Sequence, residues 1–227
     1  MRLARIGFDN VELLSYRHEL DIRNATVARL LQFRDRAGRE TTLRSRRFVS
    51  MARMHQAGIE WTLTPENWSG RVEIVTALDG RVTNQGVARY RRLEGRHLDP
   101  VSPRTFGPEV IALKCMTRQS NIYVAEAART QVFQGGEKVD VDRELYQTGD
   151  YIQQVLSFDV TEGADTRVEK MVAFYTSLDR AISEPLGSAG GSVQRYPSFD
   201  EAFQGRAMAW DELGRTCDLS LPGPERV

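Results

Sequence analysis

Apolar and polar residues alternate with a period of two over most of the chain before residue 180, the pattern of half-buried β-strands. Val27, Arg29, Leu31 and Phe33 alternate with Ala28, Leu30 and Gln32, and "RDRAG" then turns the chain into "ETTLRSRRFVSM", which predicts a hairpin. Ile59, Trp61 and Leu63 share one face of the next strand, with Glu60, Thr62 and Thr64 on the other. Pro65 removes a backbone donor and closes that strand. Val72, Ile74, Thr76 and Leu78 form the returning face, and Asp79-Gly80 supplies a turn.

Residues 81–108 break the alternation with prolines and glycines and are expected to form a long excursion, the kind of loop that often carries function. Strand patterns resume in "EVIALKCMT", "NIYVAEAARTQVF", "DYIQQVLSFDV" and "RVEKMVAFYTS". In the third of these, Ile152, Leu156, Phe158 and Val160 share a side, and Gln154 and Val155 break the pattern. Many strands with no helices between them point to a sandwich or barrel. "SEPLGSAGGSVQRYP" reads as a small-residue linker; it lacks the Lys-Ser/Thr ending of a phosphate-binding loop. A helix follows. Ser198 and Glu201 form a capping box, and Phe199, Phe203, Trp210 and Leu213 fall near one helical face. The expected organisation is therefore a β domain over 1–182, a linker over 183–197, and a helix with the start of a further linker over 198–227.

Composition narrows the function classes. With 31 basic and 31 acidic residues the formal charge is zero, so no overall field draws the chain to nucleic acid or an anionic membrane. "RSRR" at 44–47 and "RYRR" at 89–92 are expected as solvated edges or ion-pair partners, because alternate members of a run point to opposite sheet faces. Cys115 and Cys217 have neither zinc spacing nor disulfide density and read as reduced thiols. No apolar run approaches the ~20 residues that span a bilayer, and the first residues lack a signal-peptide core. A soluble cytoplasmic protein is expected.

Candidate chemistry gathers in two places. Glu66 and Trp68, in "TPENWSG", put an acid beside an indole, as a sugar site often does; Trp61, between Ile59 and Leu63, belongs to the core instead. Arg96, His97 and Asp99, with Glu94, crowd into the long excursion, where they either hold an irregular loop through hydrogen bonds or meet a ligand. His18 beside Glu19 and Asp21 does not form a metal set, because neighbours on a strand face opposite ways.

Five ordered stretches carry a resemblance: "ELDIRNATVARLLQFRDRAGRETTLRSRRFVSM", "WTLTPENWSGRVEIVTALDGRVTN", "TRQSNIYVAEAAR", "VEKMVAFYTSLDRAISEP" and "SFDEAFQGRAMAWDELGRTCDLSLPG". In this order they resemble the N-terminal domain of glycoside hydrolase family 65, the maltose, trehalose and kojibiose phosphorylases. The resemblance implies a mainly β fold: an antiparallel super-sandwich, similar to galactose mutarotase, with a C-terminal helix. It also implies a separate (α/α)6 barrel that carries the general acid and binds inorganic phosphate, the co-substrate. That barrel is expected outside these residues, so no catalytic role transfers to any residue here. No cofactor is expected. Expected partners are the barrel, a second copy of the chain, and a disaccharide. The alternatives are a free-standing carbohydrate-binding module using Trp68 and an aldose epimerase using a histidine such as His18, His55 or His97; fold likeness alone transfers neither activity.

Overall fold

The computed structural model describes residues 10–83, 95–180 and 184–217. Its strands are β1 (Glu12–Asp21), β2 (Thr26–Arg34), β3 (Glu40–Val49), β4 (Gln56–Pro65), β5 (Gly70–Asp79), β6 (Leu98–Thr105), β7 (Val110–Thr117), β8 (Tyr123–Gln134), β9 (Glu137–Val139), β10 (Asp142–Thr148), β11 (Tyr151–Val160) and β12 (Thr166–Thr176). Two helices follow, α1 (Pro185–Gln194) and α2 (Phe199–Cys217). The large sheet runs β1-β2-β3-β4-β12-β8-β7-β6, with β9 paired to β8, and the small sheet runs β10-β11-β5. Every pairing is antiparallel. The fold is thus mainly β with a C-terminal helix, as expected. Part of the anticipated excursion, Leu98–Thr105, is an edge strand of the large sheet; the "RYRR" run and Glu94 lie outside the described residues.

The small sheet covers one face of the large one. Leu156, Phe158 and Val160 of β11 pack with Val132 and Val168, and Trp61, Leu63, Val72 and Ile74 close around them. Farther along, Leu78 and Ile152 meet Ile111, Leu113, Cys115 and Ala128. Gln154 does not break the β11 pattern; it faces inward. Burial is tolerated because its amide donates to the Pro108 carbonyl at 2.6 Å and accepts from Arg143 at 3.3 Å. Cys115 is buried too, and burial pushes its thiol up, which makes it a packing residue rather than a nucleophile.

The helices cover the opposite face. Residues 183–197, expected as a linker, contain α1, whose Leu186, Ala189 and Val193 are buried against Ala112, Ala125, Ala127 and Ala173. Glycine and serine favour loops, but here a spacing of three and four aligns the apolar positions on one face, and tertiary burial outweighs weak propensity. Gly190 is required by proximity: a Cβ there would stand 2.4 Å from the Phe106 ring. Glu184 caps the helix, accepting from the Gly187 amide at 2.5 Å and pairing with Lys114 at 2.7 Å. Burial would raise the Glu184 carboxyl, but Lys114 and the two capping amides outweigh it and hold it below its usual range.

The α2 capping box forms as expected: the Ser198 amide donates to Glu201 at 3.1 Å, and the Glu201 amide to Ser198 Oγ at 3.3 Å. Phe199 is fully buried, and its ring meets Phe48 edge-on at 5.2 Å. No helix among the described residues is long and apolar enough to cross a membrane.

Candidate functional site

The corner at residues 65–70 is built from the hairpin beside it. Glu40 receives the Glu66 amide on its carbonyl at 2.9 Å and donates its own amide to Asn67 Oδ1 at 2.8 Å. The Asn67 side chain reaches back to the Gly38 carbonyl at 3.1 Å. Thr42 donates its hydroxyl to the Glu66 carboxylate. The Trp68 indole N–H is shared between the Glu40 carbonyl at 3.0 Å and Thr41 Oγ1 at 3.1 Å. Its ring lies against the inter-sheet core and carries the Arg39 guanidinium 5.1 Å from its centroid. A sugar platform needs a free aromatic face; this ring is half-buried and engaged by the core and by a cation.

The second group sits elsewhere. Arg96 reaches Asp150 at 3.3 Å, Asp99 accepts from Arg118 Nε at 2.9 Å, and the His97 carbonyl accepts from the Arg118 amide at 3.0 Å while the His97 side chain is exposed. Asp150 also receives the Gly80 amide on its carbonyl at 2.9 Å, just beyond the end of β5. Trp68 precedes the start of β5. The two groups therefore stand at opposite ends of a ten-residue strand, about 30 Å apart at ~3.3 Å per residue. The structure does not bring them together.

The densest charged constellation lies where the sequence pattern suggested only a polar face. On β3, β4 and β12, Arg46, Glu60, Arg167 and Glu169 occupy one side of the sheet, with Arg46 paired directly to Glu60 and Glu60 to Glu169. Arg46 holds Glu60 Oε1 through Nε at 3.0 Å and Nη2 at 2.8 Å. It also reaches Asp200 of α2 at 3.0 Å, as does Arg167 at 2.9 Å. Glu169 is 1% exposed; its Oε2 accepts the Phe199 amide at 3.1 Å, and its Oε1 faces Arg167 at 3.3 Å. Burial pushes the Glu169 carboxyl up, against the opposing pull of the Phe199 amide and Arg167. Two strand carboxylates and one helix carboxylate thus share two arginines, and the cluster locks the first turn of α2 onto the sheet.

Farther along α2, Arg206 is completely buried. It donates to the Asn24 and Ala25 carbonyls, the latter at 2.9 Å, and to Thr26 Oγ1 at 2.8 Å, and lies 4.2 Å above the Phe203 ring. Trp210 Nε1 donates to the Ile22 carbonyl at 3.0 Å. Over β1 to β4 an open concavity of about 520 Å³ is lined by Arg17, Glu19, Arg44, Arg46, Glu60 and Asp165. Its carboxylates are already ion-paired: Glu19 with Arg17, Glu60 with Arg46, and Asp165 with Arg44 at 3.8 Å.

In the sequence each member of this cluster looks like an ordinary solvent-facing residue of its own strand or helix. The available signal was cross-strand: Glu60 faces Arg46 and Glu169 in register.

A family model described as glycosyl hydrolase family 65, N-terminal domain, matches residues 4–213. An uncharacterized glycosyl hydrolase of Mycobacterium tuberculosis (strain CDC 1551 / Oshkosh) is 36% identical over 224 residues, 97% of this chain and 16% of the relative. A kojibiose phosphorylase of Halothermothrix orenii is 23% identical over 97% of this chain and 28% of its own length. An alpha,alpha-trehalose phosphorylase of Thermoanaerobacter brockii is 27% identical over 74% of this chain and 22% of its own. The chain thus spans less than a third of the length of each of these relatives. Among solved structures, a putative kojibiose phosphorylase from the human microbiome superposes with a TM-score of 0.75 at 12% identity, covering 90% of this chain and 25% of the other, a likeness of fold. With the family model matched almost end to end, the chain belongs to glycosyl hydrolase family 65, in which it corresponds to the N-terminal domain.

Proposed function

We propose that this chain is the noncatalytic N-terminal module of an α-glucoside phosphorylase or hydrolase, one that acts on a disaccharide such as kojibiose, trehalose or maltose. Its role is that of a scaffold for a catalytic domain. The observation that carries this reading is the use made of the acidic side chains beneath α2 and at the 65–70 corner. A general acid must be free to give a proton to a bound substrate. Glu60, Glu169 and Asp200 instead face two arginines and a helix amide, and Glu66 accepts from Thr42. Phosphate would enter as co-substrate of the whole enzyme, with no residue of this module assigned to it.

The docking surface is the far half of α2. Its apolar stripe runs from Phe199 through Phe203 and Trp210, and then continues past the sheet to Leu213, which is 45% exposed. Ile22, at the turn that Trp210 holds, is 75% exposed. The occupant is the family's catalytic polypeptide, because most of the length of the relatives lies outside the segment matched here.

Co-expression of this chain with the unmatched remainder of the mycobacterial relative tests the docking. A one-to-one complex is expected, with affinity falling about tenfold or more in Leu213→Asp. If the unmodified chain fails to bind, or if Leu213→Asp binds as well, the docking reading is wrong.

A further inference from the structure

We propose that the inner face of β1–β3, the side on which the small sheet lies, binds a small phosphate monoester, with Arg29 and Arg47 as its anion clamp. This goes beyond the scaffold reading and does not depend on it, and the group bound is an ester rather than the inorganic co-substrate. Strand pairing sorts the side chains of these strands onto two faces. The five carboxylates of β1–β4, Glu12, Glu19, Asp21, Glu40 and Glu60, all fall on the helix side. There Arg17 pairs with Glu19, Arg34 with Glu12 and Glu40, Arg44 with Asp165, and Arg46 with Glu60. The inner face of the same strands carries Arg29, Arg47 and His18 and no carboxylate. Among the described residues no acidic side chain pairs with Arg29 or Arg47, although Arg29 is half-buried. Cations gathered on one face without a counter-ion are a ready site for an anion.

The spacing fits a phosphoryl group. Arg29 stands directly opposite His18 on β1 and Ser45 on β3, and Arg47, opposite Val27, is one diagonal step away. Diagonal neighbours on one face are ~7–8 Å apart. Two guanidinium groups close that gap around a single phosphoryl group, because each planar fork donates paired N–H bonds to its oxygens. Without an anion the two like charges repel; a bound dianion attracts both. The carbon body of an ester has a floor beside the clamp: Val27 sits between Leu20 and Arg47, and Ile59 continues that row beyond Arg47. Leu20 and Val49 are 66% and 67% exposed, so this half of the face is open, whereas Leu31 and Phe33 are buried toward the other end. Lys170, next in the row after Ile59, is turned to the Ala77 carbonyl at 3.1 Å and stays out of the clamp.

Calorimetric titration of the 227-residue chain with glucose 1-phosphate, and separately with inorganic phosphate, tests the proposal beside Arg29→Gln, Arg47→Gln and Arg44→Gln. The unmodified chain should bind glucose 1-phosphate saturably at one site, and inorganic phosphate several-fold more weakly, because the free ion leaves the apolar row uncovered. Arg29→Gln and Arg47→Gln should each weaken glucose 1-phosphate about tenfold or more, the loss of one charge-assisted pair of hydrogen bonds. Arg44→Gln removes the same charge from the other side of β3 and should change the affinity less than about twofold. Near-ultraviolet circular dichroism should match in all of these proteins. In the unmodified chain the Nε–Hε resonances of Arg29 and Arg47 should move on titration while that of Arg44 stays, a readout that holds even where a variant folds poorly. Absence of glucose 1-phosphate binding, stationary Arg29 and Arg47 resonances, or an equal loss in Arg44→Gln would each overturn the clamp. Inorganic phosphate binding as tightly as the ester would overturn the assignment to a monoester.

Discussion

Replacing Arg206 by alanine should lower the stability of the chain by about 2–4 kcal/mol, because buried polar groups left without a donor cost about 1–3 kcal/mol and the void beside the rings adds to that. The substitution strips donors from the Asn24 and Ala25 carbonyls and from Thr26, and leaves a void against Phe203 and Phe48. It also releases the turn between β1 and β2, where Ala25 has a φ of 44°, in the left-handed region that non-glycine residues enter only under constraint. Arg206 bears a desolvation cost of its own: burial lowers its pKa, and the Asp21 charge opposes that shift. Arg206→Met, which keeps much of the volume and removes the charge, should therefore lose less than Arg206→Ala. Urea unfolding followed by tryptophan fluorescence measures both, and Trp210, tied to Ile22, reports whether the helix leaves the turn first. Loss of under about 1 kcal/mol in Arg206→Ala would place Arg206 outside the anchoring set.

Gly58→Ala should cost about 2–3 kcal/mol although it adds one methyl group, because the methyl enters space already filled. Gly58 pairs with Phe48 across β4 and β3, and a Cβ there would stand 2.7 Å from Phe48 Cε1 and 3.1 Å from the Phe199 ring. Both rings are buried, Phe48 at 4% exposure and Phe199 at 0%, so neither can swing into solvent. The strand and the first turn of α2 must separate, which weakens the Glu169–Phe199 contact as well. The measurement is the shift in thermal midpoint, expected at about 5–10 °C for a chain of this size. Gly58→Ala combined with Phe48→Leu, which vacates the ring edge, should recover part of the loss.

The strands were legible because alternation is enforced by burial on one face. Trp61 and Leu63 face the core as the pattern required, and so do Val72, Ile74 and Leu78. The cap of α2 was legible because Ser198 and Glu201 act locally. Helix α1 was not, since glycine and serine carry a loop signal and only the alanine-lined sheet beneath makes a helix of them. The charged cluster was hidden for a related reason. Glu60, Arg46, Glu169 and Asp200 come from four separate segments, and the burial of Glu60 and Glu169 and their ion pairs exist only once the sheet and helix have met. The corner at Glu66 and Trp68 was visible as a turn, but its apparent sugar-site chemistry came from two adjacent letters. The structure gives each a separate partner, Thr42 for the acid and the Glu40 carbonyl with Thr41 for the indole.

The central claim of the proposed function is that Glu60, Glu169 and Asp200 hold the first turn of α2 on the sheet rather than act on a sugar. Incubating the purified chain with kojibiose, trehalose or maltose and inorganic phosphate, and measuring glucose 1-phosphate, tests it most directly. The account predicts release no greater than in a protein-free blank. Phosphate-dependent release that rises with chain concentration and disappears in Glu60→Gln would contradict it.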